Sequence, residues 1–323
     1  MILCAGEALI DMLERPLAGG GIGFAPVPGG AVFNTAIALG RLGAPAGYFG
    51  GLSRDRFGDQ LHQALTDSGV DTALAPRVAR PSTLAFVALV DGQARYEFFD
   101  EGSAGRMLSR ADLPDLGPDI DALFLGGISL MAEPCGSAFE ALALERAGDR
   151  VVMLDPNIRP AFIADEAAFR ARMARLMARA DIVKLSDEDL AWLSGPGDVA
   201  GRAQALLERG PALVIVTQGA RGARAFTRQC EARARAPEVA VADTVGAGDT
   251  FNAGVMAGLW RLGVLAAPDA RARLRGLAAA DLTACLDLAA RAAAHTVTRP
   301  GADPPWAQEL PDLPNLPDLP EAP

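Results

Sequence analysis

The residues best suited to chemistry in this 323-residue chain form one stretch, Asp243-Thr244-Val245-Gly246-Ala247-Gly248-Asp249-Thr250-Phe251. Small residues come first, then a carboxylate, then the apolar helix formers Phe251, Ala253, Val255, Met256 and Leu259. Small residues let backbone N–H groups crowd around an anion, and the start of a helix adds a partial positive charge. A carboxylate would repel an anion held there, so binding alone does not explain Asp249. A carboxylate that takes a proton from a nucleophile attacking that anion does. The combination implies phosphoryl transfer to a hydroxyl group, with Asp249 as the base and the N–H groups of Ala247, Gly248 and Asp249 around the transferring phosphoryl. The plainer alternative is a helix N-cap, a position that Asp favours. Asp243-Thr244 ahead of it and a second glycine site upstream favour the catalytic reading.

That upstream site is Gly29-Gly30-Ala31-Val32-Phe33-Asn34. A double glycine lets a sugar approach the backbone closely, and Asn34 on the first turn of the following helix can bond hydroxyls; an ordinary strand-to-helix turn is the alternative. Glu7 and Asp11 follow the first strand, where carboxylates accept bonds from vicinal diols or simply stand solvated. Asp155-Pro156-Asn157-Ile158-Arg159 follows a buried strand. Ligands of an open parallel sheet bind beyond the carboxyl ends of its strands. Arg159 can there contact phosphate and Asn157 can orient ligand or loop; an Asx turn with an exposed Arg is the alternative. The same sheet edge carries Gly127, Lys184 and Gly219. The acids of Ser186-Asp187-Glu188-Asp189 either complement a helix dipole or hold Mg²⁺-bound water in an outer shell. Thr217-Gln218-Gly219-Ala220-Arg221-Gly222 either passes beneath nucleotide phosphates or makes a hairpin turn.

The elements that must position these residues alternate. Strands are predicted at 2–5, 123–126, 151–154, 182–185 and 213–217, and helices at 32–42, 57–67, 167–180, 188–193, 199–209, 250–262 and 282–295. Repeated β-then-α order implies a parallel sheet covered on both faces. One segment breaks the pattern: 83–90 and 93–99 are β-rich and joined by Asp91-Gly92, a two-residue hairpin signal. A hairpin apolar on both faces wants two partners, a ligand beneath it or a second subunit. The closing run from Leu310 to Pro320 repeats Leu-Pro-x and reads as an extended or disordered tail.

Composition excludes several classes. The formal charge of −10 and pI near 4.8 argue against nucleic acid and anionic membranes as partners. No apolar run approaches the ~20 residues of a membrane helix. Met1 to Glu7 lacks the basic start and long apolar region of a signal peptide. Cys4, Cys135, Cys230 and Cys285 form no C-x-x-C pair and read as reduced thiols, so the expected location is cytoplasmic. Lys184 is the sole lysine and follows Val183, which excludes a Gly-Lys-Ser/Thr phosphate loop. His62 and His295 stand alone. No G-x-G-x-x-G follows the first strand, which excludes a dinucleotide-dependent oxidoreductase.

On these residues, from Met1 to about Glu309, the chain resembles the ribokinase (PfkB) family of carbohydrate kinases. The first family signature matches Gly29-Gly30-Ala31-Val32-Phe33-Asn34 through Gly40-Arg41-Leu42-Gly43, the second Asp243 to Asp249. The resemblance implies a three-layer α/β/α domain (1–309) with a mostly parallel central sheet. It adds a small β lid from about 12–27 and 80–105, often clasped to the lid of a second subunit, hence a homodimer. It implies that Asp249 is the catalytic base, that Gly246, Ala247 and Gly248 form the anion hole, and that Asp11, Gly29, Gly30 and Asn34 contact a sugar. Arg159 and the lid residues Arg95, Tyr96 and Phe98 join them at the acceptor. Asn157, Lys184, Thr217, Gly219, Gly222 and Asn252 fall on the ATP side. The family's Asn-x-x-Glu motif aligns with Ser186 to Asp189, with Ser for Asn and Asp for Glu, so Glu188 and Asp189 are left as outer-shell Mg²⁺ candidates. Many relatives bind K⁺ on backbone carbonyls, which here would be those of Asp243, Val245 and the stretch around Thr296 to Gly301.

Within the family, Gly6 to Asp11, Asp155 to Arg159 and Lys184 to Asp189 look most like bacterial fructokinases. D-fructose is therefore the expected acceptor. 2-Keto-3-deoxygluconate, ribose, another ketose or a nucleoside remain alternatives, with ribose disfavoured because the resemblance implies that a ribokinase carries a sugar-binding Glu near Ser129, which this chain lacks. A non-catalytic sugar sensor on the same scaffold is the alternative of another class.

Overall fold

The computed structural model describes residues 1–90, 93–310 and 316–317, with backbone alone over 87–90 and 93–96. The expected Asp91-Gly92 turn, the side chains of Arg95 and Tyr96 and most of the Leu-Pro-x tail lie outside the described residues.

In chain order the elements are β1 (Ile2–Ala5), β2 (Leu9–Pro16), β3 (Ile22–Gly29), α1 (Ala31–Arg41), β4 (Ala46–Phe49), β5 (Leu52–Ser53), α2 (Arg56–Asp67), β6 (Arg77–Val78), β7 (Leu84–Val90) and β8 (Gln93–Phe99). There follow β9 (Ala122–Gly126), α3 (Cys135–Ala141), β10 (Val151–Asp155), α4 (Glu166–Arg179), β11 (Ile182–Ser186), α5 (Asp187–Ser194), α6 (Val199–Leu207) and β12 (Leu213–Thr217). The chain closes with β13 (Ala223–Phe226), β14 (Glu231–Ala234), α7 (Ala247–Arg261), α8 (Ala270–Arg275) and α9 (Ala279–Val297). No helix among the described residues is long and apolar enough to cross a membrane.

The main sheet has eight strands in the order β14-β13-β12-β11-β10-β9-β1-β4. From β12 to β4 the neighbours run parallel, and β13 and β14 add an antiparallel edge. This is the expected three-layer α/β/α arrangement. The two-residue period of a strand divides its side chains between two cores. Ile2 and Cys4 of β1 and Val151 and Met153 of β10 face the layer of α1, α2, α7 and α9. Leu3, Ala5, Val152 and Leu154 face α3, α4, α5 and α6. Helices α7 and α9 pack closely because Gly254 and Gly258 offer no side chain: a Cβ on Gly254 would lie 2.4 Å from Ala289 Cα.

The lid is a four-stranded sheet, β3-β2-β7-β8. The 83–99 hairpin forms as expected, but it does not stand alone: β7 pairs in parallel with β2, and β2 pairs with β3. The sequence pattern predicts no strands at 9–16 or 22–29, whose polar and proline-containing residues mask the alternation. It also leaves β4, the edge strands β13 and β14, and α3 unpredicted. Rings of Phe24, Phe86 and Phe99 meet edge to face at centroid distances of 4.9 and 5.3 Å across one face of the lid. Ile22, Phe24 and Phe99 remain exposed there. At the other end of the chain, Leu310 and Leu316 pack on the first core.

Candidate active site

Two helix starts face the carboxyl ends of the parallel strands, and both begin on a glycine. Gly30, with φ 110°, precedes α1, and Gly246, in the left-handed region with φ 78°, precedes α7. Neither supplies a side chain to cap its helix. By contrast Asp55, Asp165, Ser186 and Asp198 each accept an N–H at the start of α2, α4, α5 and α6. The first N–H groups of a helix lack intrahelical acceptors; at α1 Glu7 takes those of Ala31 and Phe33, whereas at α7 those of Gly248 and Asp249 are left for a ligand. At Gly246 a Cβ would also lie 2.6 Å from that of Ala302, so the left-handed turn and the close approach both require glycine.

Helix α7 begins three residues earlier than the expected 250, at Ala247. Asp249 is thus the third helical residue and caps nothing. Its Oδ2 accepts a 2.8 Å hydrogen bond from Asn34 Nδ2 of α1, and Thr35 Oγ1 donates to its carbonyl at 3.2 Å. The two signature segments, far apart in sequence, therefore meet at one carboxylate. Burial pushes the Asp249 carboxyl up to about 7; Asn34 opposes the shift, the charge of Asp155 adds to it, and Lys184 opposes it. A carboxyl in that range is poised to take a proton near neutral pH.

Around Asp249 lies a polar cavity of about 310 Å³ lined by Asp11, Gly30, Asn34, Phe98, Asn157, Arg159, Lys184 and Gly246 among others. Asp11 is pushed up to about 6 by burial. Gly29 lies outside the lining, but a Cβ there would come 2.3 Å from Asp11 Oδ2, so this glycine makes room for that carboxylate. Phe98 of the lid meets Phe162 edge to face at 4.5 Å. Arg159 is exposed at the rim, and Asn157 takes a positive φ of 44° in an Asx turn whose N–H donates to Asp155 Oδ1 at 3.2 Å. The segment forms the Asx turn with an exposed Arg, and Asn157 and Arg159 also line the cavity.

A second, more apolar cavity of about 560 Å³ adjoins the first, with Thr244 and Gly248 lining both. Thr217, Gly219 and Gly222 line it with Phe251, Ala290 and Val297. The turn after β12 is a hairpin turn to β13 as well as a cavity wall. Gly222 has φ 90°, and a Cβ there would lie 2.1 Å from Ala234 O.

Some of the expected residues stand elsewhere. Asn252 is buried and lines neither cavity; its Nδ2 donates to Asp155 Oδ2 at 2.7 Å and its Oδ1 is buried without a partner. Glu188 is exposed outside either lining. Both oxygens of Asp189 are engaged, one by Ile158 N–H and the other by Ser186 N–H in a capping box. Asp243 binds Val245 N–H and Gly301 N–H through its side chain, which ties the second signature to the segment after α9.

Asp155 and Glu7 carry more of the site than their sequence context suggests. Asp155 is buried and accepts from Lys184 Nζ at 2.9 Å as well as from Asn252 and Asn157. Its position at the end of a predicted buried strand is the signal that could have found it. Glu7 is buried and raised by desolvation; it accepts from Ala31 N–H at 3.0 Å and Ser129 N–H at 3.3 Å, holding two loops together. Among the described residues, no three His, Cys, Asp or Glu side chains cluster to cage a metal ion. The donor set fits a divalent cation held mainly by phosphate oxygens and water, as Mg²⁺ commonly is, rather than a protein cage.

A cleft at the carboxyl edge of a doubly covered parallel sheet, with an uncapped helix start joining a polar to an apolar cavity, defines a phosphotransferase with an alcohol acceptor. The profile of the pfkB family carbohydrate kinases matches residues 1–309. The chain is 53% identical to the fructokinase of Rhizobium leguminosarum bv. trifolii over 259 residues, 80% of this chain and 79% of that one. The solved fructokinase of Xylella fastidiosa with bound ATP superposes with a TM-score of 0.84 at 31% identity, covering 93% of each chain. The fructokinase of Vibrio cholerae O395 with fructose, ADP and calcium ion gives 0.79 at 28%, covering 93% of this chain and 94% of that one. The chain belongs to the pfkB family of carbohydrate kinases.

Proposed function

We propose that the protein transfers the terminal phosphoryl group of ATP to the primary 6-hydroxyl of D-fructose, giving fructose 6-phosphate. The observation that carries this reading is the Asp249 carboxylate at the third position of α7. It stands at the start of α7, where the N–H groups of Gly248 and Asp249 have no acceptor and the polar and apolar cavities meet. The fructokinases similar to this chain support the acceptor, since their names and bound fructose point to it.

The sugar sits in the polar cavity with Asp11 and Asn34 accepting and donating to its hydroxyls. ATP occupies the apolar cavity, its base among Phe251, Ala290 and Val297 and its phosphates over Gly219, Gly222 and Gly248. Asp249 takes the proton of the attacking hydroxyl. The new O–P bond forms as the bond to the ADP oxygen breaks, ADP leaves, and Asp249 returns its proton to solvent. The N–H groups at the helix start hold the charge on the phosphoryl oxygens. A divalent cation, Mg²⁺ in the cell, would neutralise phosphate charge; Asp155, in the wall of the polar cavity, is the nearby carboxylate that would reach its water shell. The Asp243 and Val245 carbonyls, tied to Gly301, are the corresponding K⁺ candidates. Phe98 and the lid strands close over the sugar and exclude water. The exposed Ile22, Phe24 and Phe99 support pairing of two lids in a homodimer. The four cysteines are free, in keeping with a reducing cytoplasm.

ADP release measured over a panel of sugars tests the reading. Fructose should lead in kcat/KM, with 2-keto-3-deoxygluconate, ribose and nucleosides well behind. Specificity led by another acceptor would overturn the fructose assignment, and sugar binding with no ADP release would return the protein to the sensor class.

A further inference from the structure

The chain carries 30 Lys and Arg residues, yet Lys184 is the only lysine. Everywhere else, on the surface, at helix ends and in ion pairs, arginine serves as the side-chain cation. The exception is only 5% exposed and lies on β11 in the wall of the polar cavity. Its Nζ donates to Asp155 Oδ2 at 2.9 Å, which among the described residues is its one hydrogen bond. An ammonium has three protons to give. Its neighbour on the cavity side is Gly248, where a Cβ would lie 3.4 Å from Nζ. Gly248 is the second residue of α7, and its N–H belongs to the uncapped helix start. A planar guanidinium spreads its donors over a wide fork, whereas an ammonium is a compact point charge. The compact ammonium lies between Asp155 and Gly248.

We propose that Lys184 is a catalytic residue whose ammonium bonds the transferring phosphoryl group, held at that point by Asp155 and Asn252; this rests on the kinase reading above. Asp155 orients the ammonium and offsets its charge while the site is empty, and Asn252, from α7, donates to the same Asp155 oxygen. When the phosphoryl loosens from ADP, negative charge gathers on oxygens beside Gly248, within reach of the two free N–H bonds of Lys184. The charged groups facing Lys184 are Asp155 from β10, Asp189 from α5, Asp249 from α7 and, further off, Glu7 after β1. Its removal takes away the positive charge that eases ionisation of Asp249 and leaves Asn34 to oppose the carboxylates around it.

Lys184→Met and Lys184→Arg test this, together with Lys184→Met/Asp155→Asn, in which no carboxylate is left unpaired. With fructose and Mg·ATP, kcat should fall about 10²–10³-fold in both Met variants, as for loss of one transition-state donor. Lys184→Arg should also lose more than about tenfold, because a wide fork replaces a point charge. Fructose and ADP affinities should change by less than about threefold, while affinity for ADP with aluminium fluoride, a mimic of the transferring group, should fall about 10²-fold. The acidic limb of the kcat/KM profile should move to higher pH. A folded double variant with kcat within about threefold of the parent, or with unchanged aluminium fluoride affinity, overturns the proposal. Asp249→Asn, run alongside, separates the readings. Inactive Asp249→Asn beside active Lys184→Met removes the ammonium and keeps the base, whereas turnover in Asp249→Asn removes both.

Discussion

Helices α5 and α7 start at the same sheet edge, and each has an aspartate as its third residue, Asp189 and Asp249. Their fates differ because of the residue before the helix. Ser186 at the start of α5 accepts Asp189 N–H at 2.9 Å, and Asp189 bonds back to Ser186 N–H, closing a capping box. Gly246 at the start of α7 has no side chain to cap with, so the N–H groups of Gly248 and Asp249 stay open and the Asp249 carboxylate meets Asn34 instead. Burial raises both carboxyls. One is consumed in holding a helix; the other is left for chemistry. A free helix start costs stability, about 1 kcal/mol relative to a capped one, and an anion site is what that loss makes room for.

The sharpest way to break the comparison is Asp249→Asn. Turnover in ADP release should fall about 10²–10⁴-fold while calorimetry still detects sugar and nucleotide; near-normal turnover would put Asp249 in the same structural role as Asp189. Next in size is Gly246→Ser, which gives α7 the cap that α5 has. The new side chain meets Ala302 and forces a left-handed backbone on serine, so kcat should fall about 10²-fold or more as the anion site closes. An unchanged kcat would mean that the open N–H groups are not used.

The pH dependence is the third effect in size. Asp249 must be ionised to act, so kcat/KM should fall about tenfold per unit below the raised value of about 7. Stability moves the other way. The folded state holds a proton on Asp249 that the unfolded chain gives up nearer 4, so its contribution is present at low pH and lost as pH rises through about 7. Asp249→Asn should therefore be more stable than the parent at pH 8, by roughly 2–4 kcal/mol in denaturant unfolding, with the gap closing toward pH 4. A gap of the opposite sign would remove the burial argument. The smallest effect belongs to the capped helix: Ser186→Ala should lower stability by about 1 kcal/mol in thermal unfolding. If it instead lowered kcat as far as Asp249→Asn does, the α5 acids would belong to the chemistry.

Much of the fold is legible in the chain itself. The order of strands and helices, the three-layer arrangement and the strand at 213–217 come from hydrophobic period and glycine stops, which act over short windows. Asp249 stands out because small residues before a carboxylate have few other uses. The lid is half legible. Its hairpin is apolar enough to see, but β2 and β3 are recognisable only through their pairing with β7 and each other, a long-range event. The same holds for the antiparallel edge of β13 and β14.

By itself the sequence determined the kind of chemistry, because residue types and local spacing decide where a helix can start uncapped and where an acid comes after it. It also determined that the only lysine lies in the segment leading to the α5 acids. Only the tertiary structure decided which acid is free. Asp155, Asp189 and Asp249 each stand near the junction of one element with the next, and only Asp249 is marked in sequence by the small residues before it. Their partners, Lys184 and Asn252, Ser186 and Ile158, and Asn34, come from elsewhere in the fold for Asp155 and Asp249 and from both near and far for Asp189. A carboxylate's protonation and reach are set by what surrounds it in space, and the chain brings those surroundings together only when the sheet closes.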